Sequence, residues 1–340
     1  MRRWHGSISI AVVVASACSE PPPLESRAGS IDRIIDGERC ERSTYPSALA
    51  LVERTLPSDP YRVSCSGVLI APDAVATAAH CLDGELTTER WVSRDPDLDA
   101  VREDQLEARI ISTVLHPDFD PEAFASAAPG LSRFDDIGIA LLDGPLSEEN
   151  PILVADTESL GLQDSATVDI VGWGASSAQD FSVGVGRKRC ATTTIQELGT
   201  FEMQVGSQGA RKCIGDSGGP TYLEAPGGRR VVGLASHAYD AEDCAQGAVD
   251  TRIDVYHGWI DAQLRAACED GTRQDCDPPG LLVADPIDES QGGCAATGPE
   301  APSTALSLTL LALALGRRAQ RRRAHLHHRT FGLDSGSGSA

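Results

Sequence analysis

The stretch from Cys213 to Pro220, with the sequence CIGDSGGP, combines residue types that could support nucleophilic catalysis. A serine hydroxyl is a weak nucleophile near neutral pH, so it needs a base for its proton and donors for the oxyanion that forms. Ser217 is the candidate nucleophile. The amides of Gly215 and Ser217 are the candidate oxyanion donors, because a glycine without Cβ lets backbone approach a substrate closely. A glycine-rich acidic turn is also typical of surface loops. Whether this stretch is a catalytic site or an ordinary loop therefore depends on whether other segments supply a base.

Two upstream segments supply a base and a partner for it. His80 ends the apolar run VATAAHC and is the candidate general base. The run FDDIGIALL places a carboxylate, Asp135 or Asp136, at the start of a strand-like segment. A carboxylate in that position can fix the histidine tautomer and stabilise the imidazolium.

The motifs TAAHC, DIGIALL and GDSGGP, in this order, resemble those of the trypsin/chymotrypsin family of serine proteases. The resemblance covers about residues 34–264 and implies a protease domain over 34–265. The implied fold is all-β: two antiparallel six-stranded β-barrels, trypsin-like, followed by a C-terminal helix. The family's aspartate directly precedes an isoleucine, which favours Asp136. The resemblance thus implies peptide-bond hydrolysis through an acyl-enzyme, with His80, Asp136 and Ser217 as the triad and no cofactor.

The composition narrows the classes of partner. The 340 residues carry a formal net charge of −21, which argues against nucleic acid because phosphate binding needs a basic surface. The ten cysteines form no CxxC pair and no cluster with metal-ligand spacing, so they indicate disulfides, no metal site and an exported protein. Calcium binding by the acidic segment 83–105 remains open. Short apolar runs between Gly/Pro/Asp-rich turns fit the all-β expectation.

The N-terminus is typical of a secreted precursor. Residues 1–18 carry two arginines and a short apolar run, which indicates a signal peptide. The sequence Ala-Ser-Ala-Cys also resembles a lipoprotein box, so Cys18 is either part of an ordinary signal or a lipidated residue. Residues 19–33 contain three consecutive prolines and form the expected pro-segment.

The junction between Arg33 and Ile34 resembles the family's activation site. Cleavage there would free the ammonium of Ile34, which the resemblance pairs with Asp216 to order the oxyanion loop. Asp36 departs from the family's usual glycine at that position. The chain is therefore expected to be a zymogen that needs an activating protease.

The cysteines support the same alignment. The resemblance implies three bridges in the protease domain, and the spacing of the next two cysteines suggests a small loop: Cys40–Cys190, Cys65–Cys81, Cys213–Cys244 and Cys268–Cys276.

The C-terminal part changes in composition. Residues 266–293 are expected to form a stalk, 294–323 a sorting or anchor segment, and 324–340 a disordered tail. The cysteine, apolar run and arginine cluster of the second segment resemble the sorting signal of myxobacterial surface proteins, with Cys294 as the anchored residue. A plain C-terminal anchor helix is the alternative, and either would attach the protein to a membrane or cell surface.

The resemblance also predicts a substrate pocket. Counting back from Ser217 places Arg211 where trypsin-like members have an aspartate, with Lys212 beside it, so a basic substrate side chain is disfavoured. Asp250 could neutralise Arg211, which leaves acidic and neutral side chains open. The remaining predicted wall residues form two runs: Ser236, His237 and Ala238, and Gly247, Ala248 and Val249.

Two function classes remain. The first is an exported or surface-bound serine endopeptidase that acts on proteins or peptides. The second is a catalytically silent trypsin-like module for binding or adhesion, which would leave the complete triad unexplained.

Overall fold

The structure is a computed structural model that describes residues 34–84, 89–126, 128–146, 152–154, 162–177, 180, 182–225, 228–240 and 244–282. The chain divides into units Met1–Ile287 and Asp288–Ala340, and the second unit lies outside the described residues. The expected signal peptide, pro-segment with Arg33, sorting segment and tail also lie outside them, as do Cys18 and Cys294. In the part that is described, no helix is long and apolar enough to cross a membrane.

Short strands dominate the described residues. In chain order they and the two α-helices are β1 (Glu38–Arg39), β2 (Ala48–Arg54), β3 (Arg62–Ala71), β4 (Ala74–Thr77), β5 (Glu89–Ser93), β6 (Ala108–Leu115), α1 (Pro121–Ala125), β7 (Gly138–Leu142), β8 (Leu153–Val154), β9 (Thr167–Gly172), β10 (Arg189–Leu198), β11 (Glu202–Val205), β12 (Pro220–Ala225), β13 (Gly228–Ala238), β14 (Ala248–Arg252) and α2 (His257–Glu269).

The first barrel closes in the order β2-β3-β4-β7-β6-β5, with every pair antiparallel. Alternate residues of a strand face the same side of its sheet. Leu49 and Leu51 on β2, and Ala140 and Leu142 on β7, accordingly share one buried cluster with Val75 of β4. The apolar runs seen in the sequence therefore form the barrel interior.

The second barrel follows the antiparallel order β9-β10-β11-β14-β13-β12 and closes where β12 pairs with β9. The short strands β1 and β8 add to its outside, on β10 and β13. Ile170, Ile195, Met203 and Val232 are all at most 1 % exposed and fill its core. The predicted fold of two six-stranded antiparallel barrels is confirmed.

The terminal helix is also confirmed. A 3-10 turn at Ile253–Tyr256 leads into α2, whose buried residues Ile260, Leu264 and Ala267 recur at helical spacing. Trp259, on the same helix, is only partly buried.

Four disulfides join the described cysteines, and they are those expected from the sequence: Cys40–Cys190, Cys65–Cys81, Cys213–Cys244 and Cys268–Cys276.

The folded domain continues past the predicted boundary at residue 265. Residues 270–282, here called the C-terminal clasp, return to the first barrel instead of beginning a stalk. The side chain of Arg273 is fully buried and donates from Nε to Asp73 Oδ1 at 2.8 Å. Oδ2 of Asp73, in the turn between β3 and β4, accepts the amides of Gln274 and Asp275, each at 3.0 Å. Leu281, 3 % exposed, joins the main core, so the clasp is an integral part of the domain.

Replacing Arg273 by alanine is expected to lower the free energy of unfolding by about 3–5 kcal/mol, because it leaves the Asp73 carboxylate buried without its counter-charge. Urea unfolding of the variant and of the unsubstituted protein measures this. The matched control is Arg62→Ala, which breaks an exposed ion pair with Glu53 and should cost less than about 1 kcal/mol. Equal effects of the two changes would contradict the role of the clasp.

Candidate active site

The pairing of β4 with β7 brings the candidate base and its carboxylate together. Thr77 lies opposite Gly138 in this antiparallel pair, so the residues just after β4 and just before β7 meet at one end of the barrel. His80 sits in a 3-10 turn, Ala79–Cys81, that the bridge from Cys81 to β3 holds in place. Nδ1 of His80 lies 2.8 Å from Oδ2 of Asp136, and its backbone amide donates to Oδ1 at 2.9 Å.

Asp136 is fully buried and is oriented by three donors. In addition to His80, Ser236 on β13 donates its hydroxyl to Oδ2 at 2.6 Å. Burial by itself would raise the pKa of Asp136, but the hydrogen bonds and the proximity of His80 hold that pKa below its ordinary value. Asp135 points elsewhere, accepting hydrogen bonds from Arg133 and from the hydroxyl of Tyr256 at 2.7 Å. Asp136 is therefore the carboxylate that orients His80.

Ser217 lies in a tight turn that joins the two barrels. Its carbonyl accepts the amide of Ser66 on β3 at 2.8 Å, and the next amide, that of Gly218, donates to Ala235 on β13 at 2.7 Å. Gly218 has a φ of +72°, and a Cβ there would collide with the side chain of Thr77, so this position requires glycine. The nucleophile turn thus packs directly against the strand that leads to the histidine.

The contact between Ser217 and His80 is not closed in this structure. Among the described residues, the Ser217 hydroxyl makes no hydrogen bond, and Nε2 of His80 has a polar neighbour only in Sγ of Cys81, at 3.8 Å. Catalytic hydrogen bonds of this kind often shorten only when substrate is bound. Within the same part of the chain, the amides of Gly215 and Ser217 have no acceptor, so both are available to an oxyanion.

Asp216 points away from solvent, below the nucleophile. It is fully buried, and its carboxylate accepts the amides of Gly174 at 2.8 Å and Cys213 at 2.9 Å. Burial raises the pKa of Asp216 to about 6. Ile34 is 1 % exposed in the core of the second barrel, and Ile35 forms a bridge with Arg211. The segment that starts at Ile34 is thus packed beside the residues that lead into the nucleophile turn.

A pocket of about 140 Å³ opens beside Ser217. Of the predicted pocket residues, Lys212, Ser236, His237, Ala238 and Ala248 line it, together with Ala235 and the Cys213–Cys244 bridge. The prediction that Arg211 lines the pocket is wrong. Arg211 forms a backbone bridge with Ile35, and its guanidinium contacts Asp36 at 3.5 Å and the carbonyl of Gly209 at 3.0 Å.

The sequence suggested that Asp250 could neutralise Arg211. In the structure Asp250 pairs with Lys212 instead. Nζ of Lys212 donates to Oδ2 of Asp250 at 2.8 Å, and both side chains are at most 1 % exposed. Thr221 on β12 also donates to the same carboxylate oxygen. No motif in the sequence marks Thr221, because its role arises from the pairing of strands around the second barrel.

An aromatic wall stands over the histidine. Phe124 on α1 stacks on the ring of His80, with centroids 4.9 Å apart and planes 15° apart. Phe134 and His237 meet Phe124 edge to face at 5.7 and 6.0 Å. Helix α1 starts here because Asp120 caps it, accepting two amides, and a proline follows at the first helical position. The loop before the triad aspartate thus reaches the site, although the sequence does not identify Phe124.

Glu202 on β11 holds the loop that leads to Asp136. It is 2 % exposed and accepts the amide of Ser132 at 2.6 Å. Burial raises the pKa of Glu202 to about 7. Since the unfolded chain releases this proton near pH 4.5, folding binds a proton between these two pH values.

A Glu202→Gln variant is expected to change how stability depends on pH. Glu202 favours folding fully below about pH 4.5, and this contribution falls as pH rises to about 7 by up to about 3 kcal/mol. The glutamine does not titrate, so the variant should lose that part of the slope and gain relative stability at pH 8. Urea unfolding of the variant and of the unsubstituted protein from pH 4 to 8 measures it. The control is Glu224→Gln, at an exposed ion pair, and identical slopes in wild type and Glu202→Gln would contradict the assignment.

Two groups of side chains have ligand atoms close enough for a metal, but neither offers a free ligand set among the described residues. Cys65 and Cys81 beside His80 are joined in a disulfide. In the group His116, Asp118 and Asp135, the guanidinium of Arg133 pairs with both carboxylates, at 3.5 and 3.0 Å. An arginine therefore takes the place that a cation would need.

Comparison with known proteins agrees with the fold. The chain is similar to Serine protease 56 of Mus musculus, 26% identical over 256 residues that cover 69% of this chain and 39% of that protein. It is 25% identical to Serine protease Hayan of Drosophila melanogaster, over 67% of this chain and 38% of the relative, so it spans about two fifths of the length of these two proteins.

A trypsin of Saccharopolyspora erythraea is 25% identical over 68% of this chain and 99% of its own length. The family model described as Trypsin matches residues 34–260, which is more than half of the chain. The chain therefore belongs to the trypsin family of serine proteases.

Proposed function

We propose that the protein is a serine endopeptidase that hydrolyses protein or peptide substrates through His80, Asp136 and Ser217. The observation that carries the proposal is the hydrogen bond of 2.8 Å between His80 Nδ1 and a buried Asp136, set against the turn that holds Ser217. Asp136 fixes the imidazole with Nε2 towards the cleft, where it takes the serine proton as the hydroxyl attacks the substrate carbonyl. The amides of Gly215 and Ser217 hold the oxyanion, and His80 then returns the proton to the leaving amine.

Zymogen activation is the second part of the proposal. Cleavage after Arg33 frees the ammonium of Ile34, which pairs with the carboxylate of Asp216. The burial of both residues supports this, because a carboxyl whose pKa is raised to about 6 by desolvation is stabilised in its charged form by a nearby cation. The pair then fixes the backbone of the oxyanion turn.

The proposal also places the mature enzyme outside the cytoplasm. Four disulfides among the described residues favour an oxidising compartment. A signal peptide over 1–18 would deliver it there, and the segment with Cys294 would attach it to the membrane or cell surface. Cys18 is the alternative anchor, but cleavage after Arg33 would release a lipid on that residue with the pro-segment.

Labelling with a small fluorophosphonate tests the function. The precursor is incubated with the probe before and after cleavage by trypsin immobilised on beads, and the labelled residue is located by mass spectrometry. Label on Ser217 that appears only after cleavage supports the enzyme and its activation together. A cleaved protein that takes up no label would support the silent binding or adhesion module instead.

The precursor is expected not to activate itself. The activating cut follows an arginine, whereas the pocket ends in a neutral Lys212–Asp250 pair that offers no free anion to hold that side chain. A precursor beginning at Cys18 is incubated alone or with trace trypsin, and its new N-terminus is sequenced. Rapid appearance of Ile-Ile-Asp-Gly without trypsin, absent from the Ser217→Ala precursor, would show that the pocket accepts arginine.

A further inference from the structure

We propose that the pocket beside Ser217 selects an uncharged, short aliphatic side chain immediately before the scissile bond, because the buried ion pair of Lys212 and Asp250 closes its inner end. The inference rests on the proposed function, and it names the substrate class of that site. The position before the scissile bond is called P1 below.

The ammonium of Lys212 is fully occupied by the protein. A lysine ammonium has three N–H groups. Those of Lys212 have three acceptors, each at 2.8 Å: the carbonyl of Gly219, the hydroxyl of Thr221 and a carboxylate oxygen of Asp250. An aspartate or glutamate at P1 would have to displace one of these acceptors from an ammonium whose side chain is only 1 % exposed. The positive residue in the pocket therefore does not select acidic substrates.

The carboxylate of Asp250 is equally out of reach of a basic substrate. Lys212 is among the pocket-lining residues, whereas Asp250 is not among them and is 0 % exposed. A P1 arginine or lysine would meet the ammonium of Lys212 before any anion. Arg211 contacts Asp36 outside the pocket, so it does not change the charge that a substrate side chain meets there.

The walls favour a short apolar side chain. The methyl groups of Ala235, Ala238 and Ala248 line the cavity, and Ile214, 54% exposed, stands at its rim. The volume of about 140 Å³ is close to that of the ~150 Å³ cavities that hold a benzene-sized guest. Side chains between alanine and leucine in size fit such a space without meeting the ion pair.

Peptidyl phosphonates that differ only at P1 test the inference, because their labelling rate reports P1 preference directly at Ser217. The protein is the full chain activated with immobilised trypsin, and the Ser217→Ala chain, treated identically, corrects for residual trypsin. Probes with P1 alanine, valine and leucine are expected to label roughly 100-fold faster than probes with P1 glutamate or arginine. Fastest labelling by the glutamate or the arginine probe would overturn the inference.

Two serine substitutions at neighbouring positions show which basic residue controls P1 preference: Lys212, which the structure places at the pocket, or Arg211, which the sequence placed there. Lys212→Ser removes the ammonium and opens the cavity down to Asp250, so the rate with the arginine probe should rise about 100-fold. Arg211→Ser is the matched control and should leave the P1 profile unchanged. A gain of arginine labelling in Arg211→Ser, or its absence in a folded Lys212→Ser protein, would overturn the inference.

Thermal unfolding shows whether Lys212→Ser is folded. If it is not folded, the labelling rates of the wild-type protein with the five P1 probes alone test the inference. Failure of the proposed function looks different from failure of the inference. No label on wild-type Ser217, even from the small fluorophosphonate, would refute the enzyme. If the fluorophosphonate labels Ser217 but the peptidyl probes show a preference for a charged P1 side chain, only the inference about the pocket is refuted.

Discussion

Ser217→Ala is expected to lower kcat about 10⁶-fold, to the level that binding and oxyanion stabilisation alone can sustain. The substitution removes the hydroxyl that attacks the carbonyl and little else. The backbone contacts of the turn, from Ser66 to the carbonyl of Ser217 and from Gly218 to Ala235, do not involve the side chain. Folding and secretion should therefore be unchanged.

The measurement is hydrolysis of a peptide substrate by the activated protein, with circular dichroism and thermal unfolding as checks on the fold. Ser132→Ala is the control, because Ser132 donates its backbone amide to Glu202 and the substitution keeps that amide. Turnover by Ser217→Ala close to that of wild type would refute the nucleophile assignment.

Asp136→Asn is expected to lower kcat about 10⁴-fold, the size of loss that a wrong imidazole tautomer causes in a triad of this kind. Asparagine keeps the volume and one oxygen, but its amide nitrogen cannot accept the proton on Nδ1 of His80. The ring is then held with its proton on Nε2, where it cannot act as a base towards Ser217. The buried position of Asp136 gives water no access to replace the lost acceptor.

The matched control is the neighbouring Asp135→Asn. Asp135 is also buried, but it contacts Arg133 and Tyr256 and makes no recorded bond to His80. Its loss should affect stability more than chemistry. Steady-state kinetics of the two variants, with nitrogen-15 NMR of the histidine tautomer, distinguishes the roles. A larger kinetic loss in Asp135→Asn would show that the two carboxylates have been exchanged.

The fold and the central contacts of the site were predictable because their signals are local in sequence. Each of the three motifs joins an apolar strand to a reactive residue, and the strand pairing then fixes which motifs meet. Asp136 is an example, because the pairing of β4 with β7 brings the residues just before β7 close to His80, just after β4. The two barrels were implied by the resemblance, and the apolar runs supply their buried strands.

The pocket and the aromatic wall were harder to predict from the sequence, because they depend on side-chain direction and on contacts between distant residues. Counting from Ser217 gives the backbone position of Arg211 but not the contacts of its guanidinium with Asp36 and Gly209, away from the pocket lining. Phe124 reaches His80 from a loop whose path no periodic pattern encodes. The clasp depends on Arg273 meeting Asp73, which is 200 residues earlier in the chain.

The clasp also determines how the domain would respond to a pulling force at its C-terminal end. Tension applied beyond residue 282 first reaches a segment that is anchored by Leu281 in the core and locked by Arg273 on the first barrel. The Cys268–Cys276 bridge then links this segment covalently to the end of α2. A force carried through the chain would therefore shear the clasp against the barrel before it could peel α2 from the protein. An enzyme tethered at that end would keep its second barrel, and with it the substrate pocket, mechanically shielded.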